Sequence, residues 1–97
     1  MIQVTIKSDI RENAFELIQS AIVAEVNRLE VGLHLTERHI REFETRYRVA
    51  SDVFLRDCAA ESLAGGDREY VSWAGELKVR DRIVAQLDAL KGIQYAA

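Results

Sequence analysis

The fold of this chain is decided by residues 22–47, "IVAEVNRLEVGLHLTERHIREFETRY". In this stretch large apolar side chains recur at alternating intervals of four and three residues, as in a coiled-coil helix. The seam contains Ile22, Val26, Leu29, Leu33, Ile40, Phe43 and Tyr47, with Thr36 at its one gap. The chain also has no proline, the strongest helix breaker. The sequence therefore predicts a long helix that packs lengthwise against another helix.

Gly32 leaves two interpretations of this stretch open. In one, the helix continues through the glycine, at a cost of about 1 kcal/mol relative to alanine. In the other, Gly32 ends one helix and Thr36 caps the next. The unbroken seam favours the continuous helix, as do oppositely charged pairs four residues apart. The predicted ion pairs are Glu37 with Arg41, Glu42 with Arg46, and Glu44 with Arg48.

Two further helices are predicted after this seam. Ser51 is a good cap for a short helix, and Asp67 is a good cap for a last helix over residues 68–90. The inner face of the last helix is predicted to carry Tyr70, Trp73, Leu77, Val84 and Leu87, with Ile83 and Leu90 beside it. The segment "GGDREYVSWAGE", residues 65–76, lacks the lysine and the preceding strand of a phosphate loop. We interpret it as a turn between helices, with Trp73 in the core.

The first residues show a different pattern. Apolar and polar side chains alternate in "IQVTIK", residues 2–7, which predicts a strand. The chain has 97 residues, enough for one small domain. The predicted fold is therefore all-α: a single domain over residues 1–97, built as an antiparallel hairpin of two long helices, with a short connecting helix and a short N-terminal β-strand.

The predicted hairpin leaves an interaction segment at residues 1–21. If Tyr47 lies opposite Trp73, Leu29 lies opposite Lys91, and the partner of Ile22 would fall beyond the last residue. The strand is likewise predicted to lack a partner strand in its own chain. The predicted partner-binding residues are Ile2, Val4, Ile6, Phe15, Ile18 and Ile22. Alternatively, the first helix bends at Gly32 and buries this face itself.

Nothing in the sequence predicts catalysis, and we expect no enzymatic activity, metal or cofactor. His34 and His39 are five residues apart, whereas helical metal ligands share a face when they are four apart. Cys58 is interpreted as a small core residue. Its being the only cysteine favours a cytoplasmic location, and no apolar stretch is long enough to predict a membrane span. The arginines from Arg38 to Arg48 are interpreted as a solvated, ion-paired face.

The middle and end of the chain carry a recognisable pattern over residues 29–90. Its residues are Phe43, Glu44, Tyr47, Ser51, Phe54, Gly66, Asp67 and Trp73. The pattern resembles a loosely defined group of small prokaryotic proteins found beside predicted toxin genes. In that group a glycine often follows the tyrosine, whereas this chain has Arg48. The resemblance implies the role of an antitoxin-like partner, without a mechanism.

Three functional hypotheses follow from these patterns. The first is a small partner-binding protein, antitoxin-like, that forms a homodimer, binds a cognate toxin, or does both. The second is a ribbon-helix-helix-like DNA-binding regulator, in which Gln3, Thr5 and Lys7 contact base edges. The net charge of −3 and the missing turn before Gly32 argue against DNA binding. The third is a structural coiled-coil adaptor.

Overall fold

The computed structural model describes residues 2–5, 11–57 and 68–96. In chain order, the elements are β1 (Ile2–Thr5), α1 (Arg11–Tyr47), α2 (Ser51–Asp57), α3 (Arg68–Lys91) and β2 (Ile93–Ala96). The chain is mainly α-helical, as predicted. Its dimensions are 56 × 19 × 19 Å, so the molecule is a thin rod.

Helix α1 is continuous through Gly32, and the interpretation with a break there is wrong. A Cβ atom at Gly32 would lie 3.8 Å from Cδ1 of Ile83, an ordinary van der Waals distance. The glycine is therefore not required by close packing. Its cost to the helix is outweighed by the contacts that the seam makes on both sides of it.

The α1 seam packs against α3, and the two helices run in opposite directions. One buried cluster contains Ile40, Phe54, Trp73, Ala74 and Leu77. The other contains Leu29, Ile83 and Leu87, with Val26, Leu33, Val79 and Leu90 packed against it. Full burial of one such side chain contributes about 1.5–3 kcal/mol, so the seam is the main source of stability for this helix pair.

The register of this pair differs from the predicted one by about one turn. Phe43 stacks on Trp73 with 5.7 Å between ring centroids, and Tyr47 also stacks on Trp73, at 5.9 Å. Trp73 therefore lies between two turns of α1 rather than opposite Tyr47 alone. Leu29 accordingly packs with Leu87 instead of facing Lys91. On α3, Val84 was predicted to face inward but is exposed, and Ile83 takes the buried position.

Helix α1 ends in a tight turn at Arg48. The φ angle of Arg48 is 55°, in the left-handed region, and the Val49 amide donates to the Glu44 carbonyl at 3.3 Å. A left-handed residue followed by this long-range amide bond is the Schellman way of ending a helix. Glycine adopts that conformation without steric penalty. Arg48 therefore occupies a position that glycine would adopt more easily.

The two short strands form a parallel pair, with Ile2 opposite Ile93 and Thr5 opposite Ala96. The prediction that the N-terminal strand lacks a partner in its own chain is therefore wrong. Its partner follows α3 directly, after Gly92, whose amide donates to the Asp88 carbonyl at 3.0 Å. A Cβ atom at Gly92 would lie only 3.2 Å from that oxygen, so the position favours glycine.

Candidate functional site

The first turns of α1 lie beyond the end of α3. Helix α3 ends at Lys91, whose Nζ atom is 3.5 Å from Oε1 of Glu30. Val26 is the first apolar α1 residue packed against the core, and none of the described side chains before Leu29 is buried. From Arg11 to Glu25 the helix extends about 21 Å at 1.5 Å per residue. We call residues 11–25 the N-terminal extension of α1.

Of the six predicted partner-binding residues, three lie in this extension, two lie in β1, and one lies outside the described residues. Phe15 is 45% exposed, while Ile18 and Ile22 are half-buried. Their spacing of three and four residues places them on one face of α1, in line with the α3-facing seam. Ile2 and Val4 lie in β1, and Ile6 is the one outside the described residues.

Other apolar residues of α1 are exposed but were not among the predicted partner-binding residues. Leu17 and Val31 are 66% and 70% exposed, and Val23 and Leu35 are exposed as well. Leu17, Val31 and Leu35 belong to a second series of positions spaced by four and three residues. The same periodicity that revealed the first seam could have found it, although alanines and arginines dilute its apolar character.

The strand pair leaves backbone groups available for hydrogen bonds. Each strand pairs along one edge only, and the described residues include no third strand. Gln3 and Thr5, the β1 residues whose side chains are described, are exposed. Parallel sheets are normally covered on both faces by other elements, and an open strand edge can pair with another chain. The pair thus has the properties of an incomplete sheet.

At the opposite end of the rod, an aromatic cluster surrounds Trp73, which is 1% exposed. Phe54 stacks on Trp73 with 3.9 Å between ring centroids, and Tyr70 meets both rings edge-on. Offset-stacked and edge-to-face pairs add about 0.5–1.5 kcal/mol beyond burial. Helices α1, α2 and α3 each contribute a ring, so this cluster fixes their relative positions.

A polar network completes this cluster. Trp73 Nε1–H donates to Ser51 Oγ at 2.9 Å, and the Ser51 hydroxyl donates to Oε2 of Glu44 at 2.8 Å. The same Glu44 oxygen accepts the Ser51 amide at 3.0 Å, which places a carboxylate at the start of α2. Ser51 was predicted to cap α2, but it is the first residue of that helix, and Glu44 satisfies its amide instead.

Those residues of the pattern noted in the sequence that the structure describes therefore have packing roles. Phe43 and Phe54 stack on Trp73, and the Tyr47 hydroxyl donates to Glu69. The remaining two, Gly66 and Asp67, lie outside the described residues. The six described residues of this set thus fix how the three helices meet.

A groove of about 320 Å³ lies between α1 and α3 beside this cluster. Its polar groups pair across the two helices: His39 Nδ1 is 3.3 Å from Oε2 of Glu76, and Arg46 contacts Glu69. Exposed pairs of this kind contribute little free energy, about 0–1 kcal/mol. The described residues contain no cluster of three metal-binding side chains, and none of the described helices could cross a membrane.

The ion pairs predicted along α1 do not form. Arg46 pairs with Glu69 of α3 instead of Glu42, and Glu44 is engaged by Ser51. Contacts from α2 and α3 thus displace the local pairs that spacing favours. Within the described part of the chain, Arg38, Arg41 and Arg48 make no ion pair. Among the described residues, these three arginines are therefore not part of the ion-paired face that the sequence predicted.

The N-terminal extension with its strand pair is the candidate interaction surface, because apolar side chains and open strand edges occur there together. Comparison of the chain with protein-family models, curated proteins and solved structures found no match. The chemistry of this surface is therefore the observation that indicates a function.

Proposed function

We propose that this chain is a small partner-binding protein, the antitoxin-like component of a toxin–antitoxin pair, acting through protein–protein contacts in the cytoplasm. One observation carries the proposal. The N-terminal extension of α1 continues about 21 Å past α3, and none of its described side chains is buried. The partner-binding residues of the proposal are Ile2, Val4, Ile6, Phe15, Ile18 and Ile22.

The free energy of apolar burial supports binding at this surface. Full burial of a large apolar side chain contributes about 1.5–3 kcal/mol, and binding would recover the part of it that corresponds to the exposed surface of this face. Phe15 and its neighbours Ile18 and Ile22 form one helix face, which fits the apolar groove of a partner. A strand of the same partner would pair with the outer edge of β1, and its backbone hydrogen bonds would set the register.

In this proposal, the rest of the fold is a rigid support for the N-terminal extension. The helical hairpin, its connecting helix α2 and the N-terminal strand together present the extension at one end of a rod. The cluster around Trp73 locks the other end. A partner can therefore bind the extension without disturbing the core, and the binding surface is preorganised because α1 is one continuous helix.

The strand pairing argues against the DNA-binding alternative. A ribbon-helix-helix regulator pairs its first strand with that of a second copy across a dimer, whereas β1 pairs with β2 of its own chain. Exposed Gln3 and Thr5 are the observation that keeps the alternative open to test. Titration with labelled duplex DNA at two salt concentrations would reveal the salt-dependent binding that this alternative requires.

The proposed function can be tested with the product of the adjacent gene. We expect the two proteins to co-purify when they are co-expressed, and to bind each other in calorimetric titration. The double substitution Phe15→Asp, Ile18→Asp should weaken binding by about a hundredfold or more, because two charges would enter an apolar interface.

The matched control places the same charges on α3. Val71 and Val84 are exposed valines of that helix, and the substitutions Val71→Asp and Val84→Asp should leave binding unchanged. Circular dichroism would verify that both double variants remain helical. The proposal fails if no complex forms, or if both double variants bind like the wild type.

A further inference from the structure

Helix α1 has a second seam on the side that faces away from α3. Its positions are spaced by four and three residues: Leu17, Ala21, Ala24, Arg28, Val31, Leu35 and Arg38. At about 100° per residue, the mean direction of this series lies about 140° around the helix axis from that of the first seam. All of these side chains are exposed, so no described part of the chain covers the seam.

We propose that a second copy of this chain docks on this second seam, with the two α1 helices antiparallel. In the proposed register Leu17 lies opposite Leu35 of the other copy, and Ala21 lies opposite Val31. Two-fold symmetry repeats both layers at the other end of the contact. The contact thereby covers Leu17 and Val31, the two most exposed large apolar side chains described on α1, together with Leu35, over about 27 Å of helix.

The sequence of the seam selects this register over its neighbours. Sliding one copy by seven residues, a full repeat of the seam, sets Leu17 opposite Arg28 in one direction, or opposite Glu42 in the other. Either shift places a charge against a leucine, which is unfavourable without a partner for that charge. A parallel arrangement is worse, because it brings Arg28 and Arg38 against their own copies. Of the antiparallel registers one repeat apart, this one alone sets apolar side chains opposite apolar side chains at both ends.

The centre of the proposed contact is polar but internally matched. There Arg28 lies opposite Ala24 of the second copy, whose small side chain lets the two helices approach closely. Arg28 donates two hydrogen bonds to Glu25, at 2.6 and 2.7 Å, and this lowers the pKa of Glu25. In the dimer the two Arg28–Glu25 pairs would lie side by side, with charges of alternating sign. The central layers therefore hold the register without burying an unpaired charge.

This homodimer does not compete with the proposed toxin-binding face. Phe15, Ile18 and Ile22 continue the first seam, on a different side of α1. A dimer through the second seam leaves those residues open and presents two copies of them, one toward each end of the assembly. The inference consequently stands even if the proposed function fails, because it depends on the second seam alone.

Sedimentation equilibrium of the full chain tests the proposal, with two valine substitutions as a matched pair. Val31 and Val84 are both exposed residues in the middle of long helices, but only Val31 lies on the second seam. We expect the wild type and Val84→Glu to form dimers of equal affinity. Val31→Glu should raise the dissociation constant about a hundredfold, because a tenfold effect occurs twice in a symmetric interface.

Cysteine cross-linking tests the register independently. In a Cys58→Ser background, the pair Leu17→Cys and Leu35→Cys should give a covalent dimer under mild oxidation. The two positions are about 27 Å apart along one helix, so no bond can form within a chain. Leu35→Cys alone should give none. A monomeric wild type, equal affinities of the two valine variants, or cross-linking by Leu35→Cys alone would overturn the proposal.

Discussion

The two ends of helix α1 have the same periodicity but opposite environments. From Leu29 to Tyr47, the seam meets α3 and α2, and Ile40 is almost completely buried. From Arg11 to Glu25, the helix continues with exposed Phe15 and Leu17. Periodicity therefore indicates which side chains share a face of the helix, whereas the length of the opposing helix decides which of them are covered.

The two ends also differ in how their polar groups are satisfied. At the C-terminal end, hydrogen bonds run from Trp73 through Ser51 to Glu44. No buried side-chain polar atom of the described residues lacks a partner. At the other end, the outer edge of β1 has no described strand beside it. Stability is therefore expected to depend on the first region and binding on the second.

The largest expected effect comes from removing the central ring of the aromatic cluster. Trp73→Ala should lower the free energy of unfolding by about 3–5 kcal/mol, because it leaves a cavity between three helices. Phe15→Ala, in the N-terminal extension, should change it by about 1 kcal/mol or less. Urea denaturation measures both. Equal losses in the two variants would contradict the division of roles between the two ends.

The hydrogen-bond network should give the next largest effect. Ser51→Ala leaves Nε1–H of Trp73 buried without its acceptor and should cost about 1–3 kcal/mol of unfolding free energy. The exposed Ser72→Ala should change stability by less than about 0.5 kcal/mol. In a Trp73→Phe background, which has no Nε1–H donor, the effect of Ser51→Ala should shrink. An undiminished effect would show that Ser51 acts through packing instead.

The smallest expected effect is a gain at the turn that ends α1. Arg48→Gly should raise the free energy of unfolding by about 0.5–1 kcal/mol, since relief of the left-handed conformation exceeds the added chain entropy. Arg41→Gly, inside the helix, should instead lower it by about 1 kcal/mol. Thermal unfolding of the two variants should shift in opposite directions. A destabilised Arg48→Gly variant would mean that the Arg48 side chain has a role of its own.

The mainly helical fold could be predicted because the seam of residues 22–47 is long and uninterrupted by proline. The register could not be predicted, because it was fixed by placing Trp73 opposite Tyr47, whereas Trp73 lies between Phe43 and Tyr47. The second strand could not be predicted either. Its four residues follow α3 directly, and so short a stretch has no usable alternation.

Part of the surface chemistry was also beyond the sequence. Spacing favoured an ion pair between Glu42 and Arg46, but Arg46 meets Glu69, which is distant in sequence. The same competition reassigned Glu44 to Ser51. Local spacing thus identified which groups are neighbours on a helix, and tertiary contacts then decided which of them pair.

Backbone hydrogen exchange tests whether the N-terminal extension is the binding surface. It would be measured on the free chain and on its complex with the product of the adjacent gene. In the free chain, amides of residues 29–47 should exchange more slowly than those of residues 11–22, because only the former pack against α3. On binding, added protection should appear in residues 11–22 and in β1. Added protection centred on the groove between His39 and Glu76, with none at the N-terminal extension, would show that the partner binds elsewhere.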